Sequence, residues 1–287
     1  MLKQSIIELY DEYTHSGLPR RHFLERLAQL AGGTTAALAL LPVLENNYAM
    51  AQVVAEQDIR LTTGTIEIPT PNGPIQAYVA KPKNTGKLPA VIVIHENRGL
   101  NPHIMDVARR AAVEGYLALA PDALSRTGGT PSDQDQARSL IRELDMGVTQ
   151  QDYLSSVSFA KNHSDSSGRV GCVGFCWGGG MANQLAVHST DLSCSVSFYG
   201  SQARAEDVPK MKIPLMLHYA GLDERINKGI PEFINALTVN AAPFTMHMYP
   251  GVNHAFHNDT NGARFDQDSA NLAWQRTVAF WNHYLKI

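Results

Sequence analysis

"VGFCWGGG" (Val173–Gly180) decides how the rest of the sequence is read. The apolar run "RVGCVGF" (169–175) leads into Cys176, and "WGGGMANQLAVH" (177–188) leads away with helical character. Gly174 and Gly178 stand two residues either side of the cysteine, and Gly179 follows. A strand, a sharp turn and a helix, with glycine where a Cβ would collide, make the nucleophile-elbow pattern with cysteine in the serine position. The helix start offers N–H groups without intrahelical acceptors and a positive dipole end, both favourable to a thiolate and then to an oxyanion. The N–H of Trp177 is the natural oxyanion donor. The competing reading is an inert cysteine beside a tight turn; Cys172 and Cys194, inside strand-like runs, suit it better.

Outward from the elbow, strands alternate with helices. "DIRLTTGTIEIPT" and "GPIQAYVAKP" predict a leading hairpin turning at Pro71–Gly73. "LPAVIVIHE" is a continuous apolar run, as in a parallel strand buried on both faces. "HIMDVARRAAVEG" predicts a helix stopped by Gly115. "YLALAPD", "LSCSVSFYG", "IPLMLHYAG" and "FTMHMYPG" predict further strands, and "SANLAWQRTVAFWNHYL" a closing helix. The implied class is α/β, a mostly parallel central sheet flanked by helices over residues 52–287. Ligands on such sheets bind beyond the carboxyl ends of the strands.

A thiol nucleophile needs a base, and the base an orienting acid. In α/β-hydrolase chain order the acid precedes the histidine. Asp223 in "AGLDERIN" stands just past a strand, at Gly221-x-Asp223; its other reading is a cap on the next turn. His254 in "YPGVNHAFHND" follows the next strand, in a loop able to carry it over the sheet end. It is preferred to His257, and His247 lies within the strand. These histidines lack the fixed spacing of a metal motif, so no metal and no organic cofactor are assigned.

With these residues placed, the chain resembles the dienelactone hydrolase family (carboxymethylenebutenolidases) of the α/β-hydrolase fold. "VIVIHENRGL", "GYLALAPDALSR", "VGFCWGGG", "AGLDERIN" and "YPGVNHAFHND" carry the resemblance. It implies a Cys176–Asp223–His254 triad, a glutamate at Glu96 in contact with the resting thiol, and a second oxyanion donor in the Asn97 N–H. It implies hydrolysis of a lactone or small ester through a thioester. The family holds its anionic lactone with two arginines. The first matches Arg126; the second falls on Asn258, a departure that leaves the anionic substrate open. Arg98 and Tyr199 are counted with them as substrate-side residues, and Arg264 as a substitute cation. A broader carboxylesterase or thioesterase is the runner-up. A non-catalytic binding protein on the same fold is a third reading, and a redox thiol a fourth, poor for want of a C-x-x-C partner.

Composition limits the partners. The chain has 287 residues, 44% hydrophobic and 18% charged, with net charge −3, enough for a sizeable core and without a basic face for nucleic acid. Three cysteines do not make a disulfide framework. A small-molecule ester or lactone is the expected partner, with no membrane for the main domain and a homodimer left open. Residues 1–51 stand apart. Arg20 and Arg21, a largely apolar stretch from Leu27 to Leu44 and "AMA" at 49–51 look like a twin-arginine export signal, giving an exported protein starting near Gln52. The same residues read as amphipathic helices, "SIIELYDEYTHS" and "RRHFLERLAQLAGG", kept on the main domain of a cytoplasmic protein.

Overall fold

The run "LPAVIVI" becomes strand β3 (Leu88–Ile94), with Ala90 to Ile94 fully buried. Alternate residues serve opposite faces: Val91 and Val93 join one core cluster, Ala90, Ile92 and Ile94 another. A strand covered on both sides has no polar face to keep, which is why the run is continuous. The structure, a computed structural model, describes residues 2–50 and 53–286.

Among these residues eight strands form one mixed sheet in the order β1-β2-β4-β3-β5-β6-β7-β8. The hairpin β1 (Leu61–Ile68) and β2 (Ile75–Pro82) is antiparallel, and β2 also runs antiparallel to β4 (Leu117–Pro121). From β4 onward the sheet is parallel through β3, β5 (Ser166–Phe175), β6 (Leu192–Phe198), β7 (Leu215–Ala220) and β8 (Phe244–Tyr249). On one face pack α4 (Pro102–Val113) and the closing helix α10 (Gln267–Leu285). On the other pack α6 (Met146–Asn162), α7 (Trp177–His188) and α9 (Ile230–Val239). α5 (Gln134–Glu143) and the one-turn α8 (Glu224–Asn227) lie in the connections at the strand exits. Local chemistry sets the helix starts: Asn101, Asp133, Asp145 and Asp266 each cap one with a side-chain oxygen.

The N-terminal segment forms three helices, α1 (Gln4–His15), α2 (Arg20–Ala31) and α3 (Thr34–Leu44). Gly32 and Gly33, at φ 84° and 145°, break the apolar stretch. The segments either side of that break meet at 109°, and among the described residues no single helix is long and apolar enough to cross a membrane. Ile6, Leu9, Tyr10, Phe23, Leu27 and Leu44 build a core of their own, with Tyr13 stacked on Phe23 at 4.3 Å. Arg20, the first of the paired arginines, bridges Asp135 of α5 at 2.8 Å and Glu45 at 3.3 Å, whereas exposed Arg21 meets neighbours on its own helix, Glu25 at 3.6 Å and His22 at 3.3 Å. Of the export-site residues, Ala51 and Gln52 lie outside the described residues.

Glycines at the β5–α7 turn are dictated by contact. A Cβ on Gly174 would stand 1.8 Å from the Gly178 carbonyl oxygen, and one on Gly178 would stand 2.4 Å from that of His95. Nothing lies within 4 Å of a Cβ built at Gly64 in β1. Gly174→Ala is therefore expected to cost about 3 kcal/mol or more in urea unfolding and Gly64→Ala less than about 1 kcal/mol; equal losses would contradict this packing.

Candidate active site

β5 delivers Cys176 at φ 56° and ψ −115°, a conformation L-residues rarely adopt, and α7 begins at the next residue. The glycines let the first turn of α7 press onto the exit of β3, so that Asn97, Cys176 and Trp177 line one cleft of about 320 Å³. Tyr199, at φ 38° after β6, lies along the same cleft with its ring 4.9 Å from that of His254.

Asp223, just past β7, uses both carboxylate oxygens. Oδ1 accepts the Ile226 N–H at the start of α8 (3.2 Å), and Oδ2 accepts from His254 Nδ1 (2.5 Å). The capping and orienting readings of this aspartate are therefore both realised, one oxygen each. With Nδ1 committed, His254 Nε2 is buried, has no hydrogen-bond partner, and faces Cys176. His257 is buried against Phe175 and Phe198, away from the sulfur, and His247 stacks on His218.

The sulfur's hydrogen-bond partner is a residue the sequence reading did not select. His15, the last residue of α1, places Nε2 3.2 Å from Cys176 Sγ, the one hydrogen bond to that sulfur among the described residues. Its ring meets that of His254 edge-on at 4.6 Å. One helical turn back, the Asp11 carbonyl oxygen meets His15 Nδ1 at 2.9 Å, and Asp11 Oδ1 stands 3.1 Å from the same nitrogen. Histidine and aspartate at an i, i+4 spacing on an amphipathic helix give no local signal, because the sulfur they serve is 161 positions away.

Burial opposes a charged Cys176, but the positive charges of His15 and His254 outweigh it and hold the thiol at about 5. Burial likewise opposes charge on His254, yet Asp223 and the Cys176 thiolate raise it to about 10. His15 is raised against burial in the same way, by Cys176 and Asp11. The arrangement thus favours the charged form of each of the three groups, a thiolate with an imidazole on either side. One ligand atom each from His15, Cys176 and His254 lies within 4.8 Å of the others, a donor set that could also hold zinc.

Four residues sit otherwise than the resemblance implies. Glu96 is buried, but its Oε2 accepts from Asn258 Nδ2 (2.6 Å) and no hydrogen bond joins it to Cys176. Asn258, fully buried in that pair, does not reach the cleft. Arg126 bonds Asp152 at 2.7 and 3.1 Å, Thr70 Oγ1 and the carbonyls of Asn72 and Gly73, tying the β1–β2 turn to α6. Arg98 is buried and donates to Tyr10 Oη of α1 (3.0 Å) rather than lining the cleft. The cations that do line it are Arg138, Arg142 and Arg225, beside Ile141, Leu144 and Trp177. Arg264 turns to Asp11, at 3.5 Å.

Residues 75–285 match the family model described as "Dienelactone hydrolase family", and residues 2–33 match a second, described as "YqhI-like". A "Putative carboxymethylenebutenolidase" of Saccharolobus solfataricus is 33% identical over 242 residues, covering 72% of this chain and 93% of its own. A "Putative hydrolase fragment YghX" of Escherichia coli is 51% identical over 112 residues, 38% of this chain and 96% of the fragment. The crystal structure of a putative dienelactone hydrolase from Klebsiella pneumoniae superposes with TM-score 0.72 at 30% identity, covering 78% of this chain and 99% of its own.

Cys172 and Cys194 provide an internal control. Burial pushes Cys172 up to about 12 and Cys194 well above the ordinary thiol range. Iodoacetamide at pH 6 on the native protein is expected to label Cys176 alone, read by peptide mass mapping; labelling of Cys172 at a comparable rate would contradict the charge distribution.

Proposed function

We propose that this chain, which belongs to the dienelactone hydrolase family and so is a hydrolase acting on esters or lactones, works through Cys176 as a thiolate nucleophile with His254 and Asp223. The observation that carries this reading is the buried Cys176 at the strained β5–α7 turn, facing His254 whose Nδ1 is fixed by Asp223 at 2.5 Å.

In the reading we favour, the Cys176 sulfur pair attacks the carbonyl carbon and the C=O pair moves onto oxygen. The N–H groups of Trp177 and Asn97 receive that oxyanion. As the C–O bond breaks, the leaving oxygen takes the proton of His254 Nε2, and the acyl group remains as a thioester. Neutral His254 then takes a proton from water. The hydroxide adds to the thioester, the C–S bond breaks, and the thiolate–imidazolium pair returns with the acid released. Asp223 keeps the imidazole in the required tautomer throughout.

For substrate we assign a small carboxylic ester or lactone, on the size of the cleft and its mixture of Ile141, Leu144 and Trp177 with arginines at the mouth. The positions meant to fix a substrate carboxylate, Arg126 and Asn258, are engaged elsewhere, which favours the broader carboxylesterase reading over a strict anionic-lactone specificity.

A dienelactone and 4-nitrophenyl acetate, assayed side by side, test this reading. Cys176→Ala is expected to lower kcat/KM for the accepted substrate about 10³-fold or more; equal rates in parent and variant would remove Cys176 as nucleophile. The active form needs the thiolate, present above its pKa, and the imidazolium, present below its own. Activity should therefore fall as pH drops through about 5 and again as it rises through about 10. Arg126→Ala should lower the Tm while leaving KM within about twofold; a large rise in KM would restore Arg126 to the substrate.

A further inference from the structure

The dienelactone hydrolase match begins at residue 75, yet the hydrogen bond to Cys176 comes from residue 15, within a segment that matches a different family model. The end of α1 is held in the cleft by the body of the protein. Arg138 donates to the Tyr13 carbonyl (2.9 Å), Asn97 Nδ2 to that of Thr14 (2.8 Å) and Arg142 to that of Ser16 (2.9 Å). The Tyr13 and Thr14 carbonyls belong to the last turn of α1 and lack intrahelical donors, and Ser16 is the residue that follows it. Arg225 and Arg264 face Asp11 at 3.4 and 3.5 Å. Every one of these donors lies beyond residue 96, so the body carries a built receptor for the N-terminal helix.

We propose that His15, oriented by Asp11, is a second catalytic imidazole that holds Cys176 as the thiolate, making the N-terminal helices part of the active site. With Nδ1 on the Asp11 carbonyl oxygen and beside the Asp11 carboxylate, His15 directs an Nε2–H at the sulfur, and the C-terminal end of α1 favours the positive ring. His254 and Tyr199 line the same cleft and the charge of Arg98 also acts on Cys176, but His15 alone among the described residues has a side-chain atom at hydrogen-bond geometry to the sulfur. During acylation the sulfur pair becomes the C–S bond and His15 keeps its proton. When the C–S bond breaks, the pair returns to sulfur beside the same N–H, which makes the thiolate a better leaving group. No net proton moves through His15. The sulfur contact that the resemblance implies for Glu96 is thus made by an imidazole of opposite charge.

This rests on Cys176 being the nucleophile. The test uses the full chain and its variants His15→Ala, His15→Gln and Asp11→Asn. Iodoacetamide alkylation of Cys176 is followed against pH, and kcat and KM for 4-nitrophenyl acetate are measured on the same samples. In His15→Ala and His15→Gln the alkylation midpoint should rise by about one to two units. The thiolate fraction at pH 6, and kcat/KM with it, should then fall about two- to tenfold, mostly in kcat. Asp11→Asn should shift both in the same direction by less, and free imidazole should partly restore His15→Ala. A parent-like midpoint in folded His15→Gln, or no response of His15→Ala to imidazole, would overturn the assignment. Should the His15 variants not fold, an Asp11→Asn midpoint identical to the parent's would overturn it equally. A shifted midpoint in a protein that hydrolyses no ester would refute the proposed function while supporting the role of His15. Cys176-dependent turnover indifferent to His15 would do the reverse.

Discussion

Three glycines let the backbone avoid a collision at each of their positions, and the shape of the candidate site follows from that. Gly174 at the end of β5 sits against the Gly178 carbonyl, Gly178 against the carbonyls of Ile94 and His95, and Gly179 against that of Phe198. The first turn of α7 is thereby seated between the exits of β3 and β6. Cys176 is forced to positive φ, its side chain raised above the sheet, with Trp177 and Asn97 on either side. A strained residue persists only when its surroundings over-determine it, and here backbone atoms of three strands do so.

The charge arrangement is built around that fixed sulfur. Asp223, His254, Cys176, His15 and Asp11 lie one after another, each beside a group that favours its charged form, enclosed by the body on one side and by α1 on the other. Removing charged groups from water is costly, and the cost is offset here only because each faces an opposite neighbour at hydrogen-bond range or close to it. Arg225 and Arg264 extend the alternation around Asp11. Without α1, one side of the thiolate would lose its counter-charge and face solvent.

The sequence made the elbow, the alternating strands, the leading hairpin and the Asp223–His254 pair legible, because each is written in local spacing: glycines two residues from a cysteine, an acid or histidine just past a strand. Residues whose partners are remote were misplaced. Arg126 stands at the position the resemblance offers for a substrate carboxylate, but Asp152 of α6 and the turn at 70–73 take its donors. Glu96 and Asn258 read as separate positions along the chain, and folding joins them by a hydrogen bond from Asn258 Nδ2 to Glu96 Oε2. The helices of the N-terminal segment were legible as amphipathic periodicity. Their docking was not, since Arg20 pairs with Asp135 and Arg138 with the Tyr13 carbonyl across more than a hundred positions.

By itself, then, the sequence determined the sheet, the position of the Cys176 elbow and the strand-exit positions of Asp223 and His254, because period, glycine placement and strand-exit position are local properties of a chain. The tertiary structure decided what surrounds the sulfur. It brought His15 to 3.2 Å from Cys176, tied Arg126 to Asp152, and made the end of α1 a wall of the cleft. These outcomes depend on which hydrogen-bond donors meet which acceptors after folding, and no spacing along the chain encodes that.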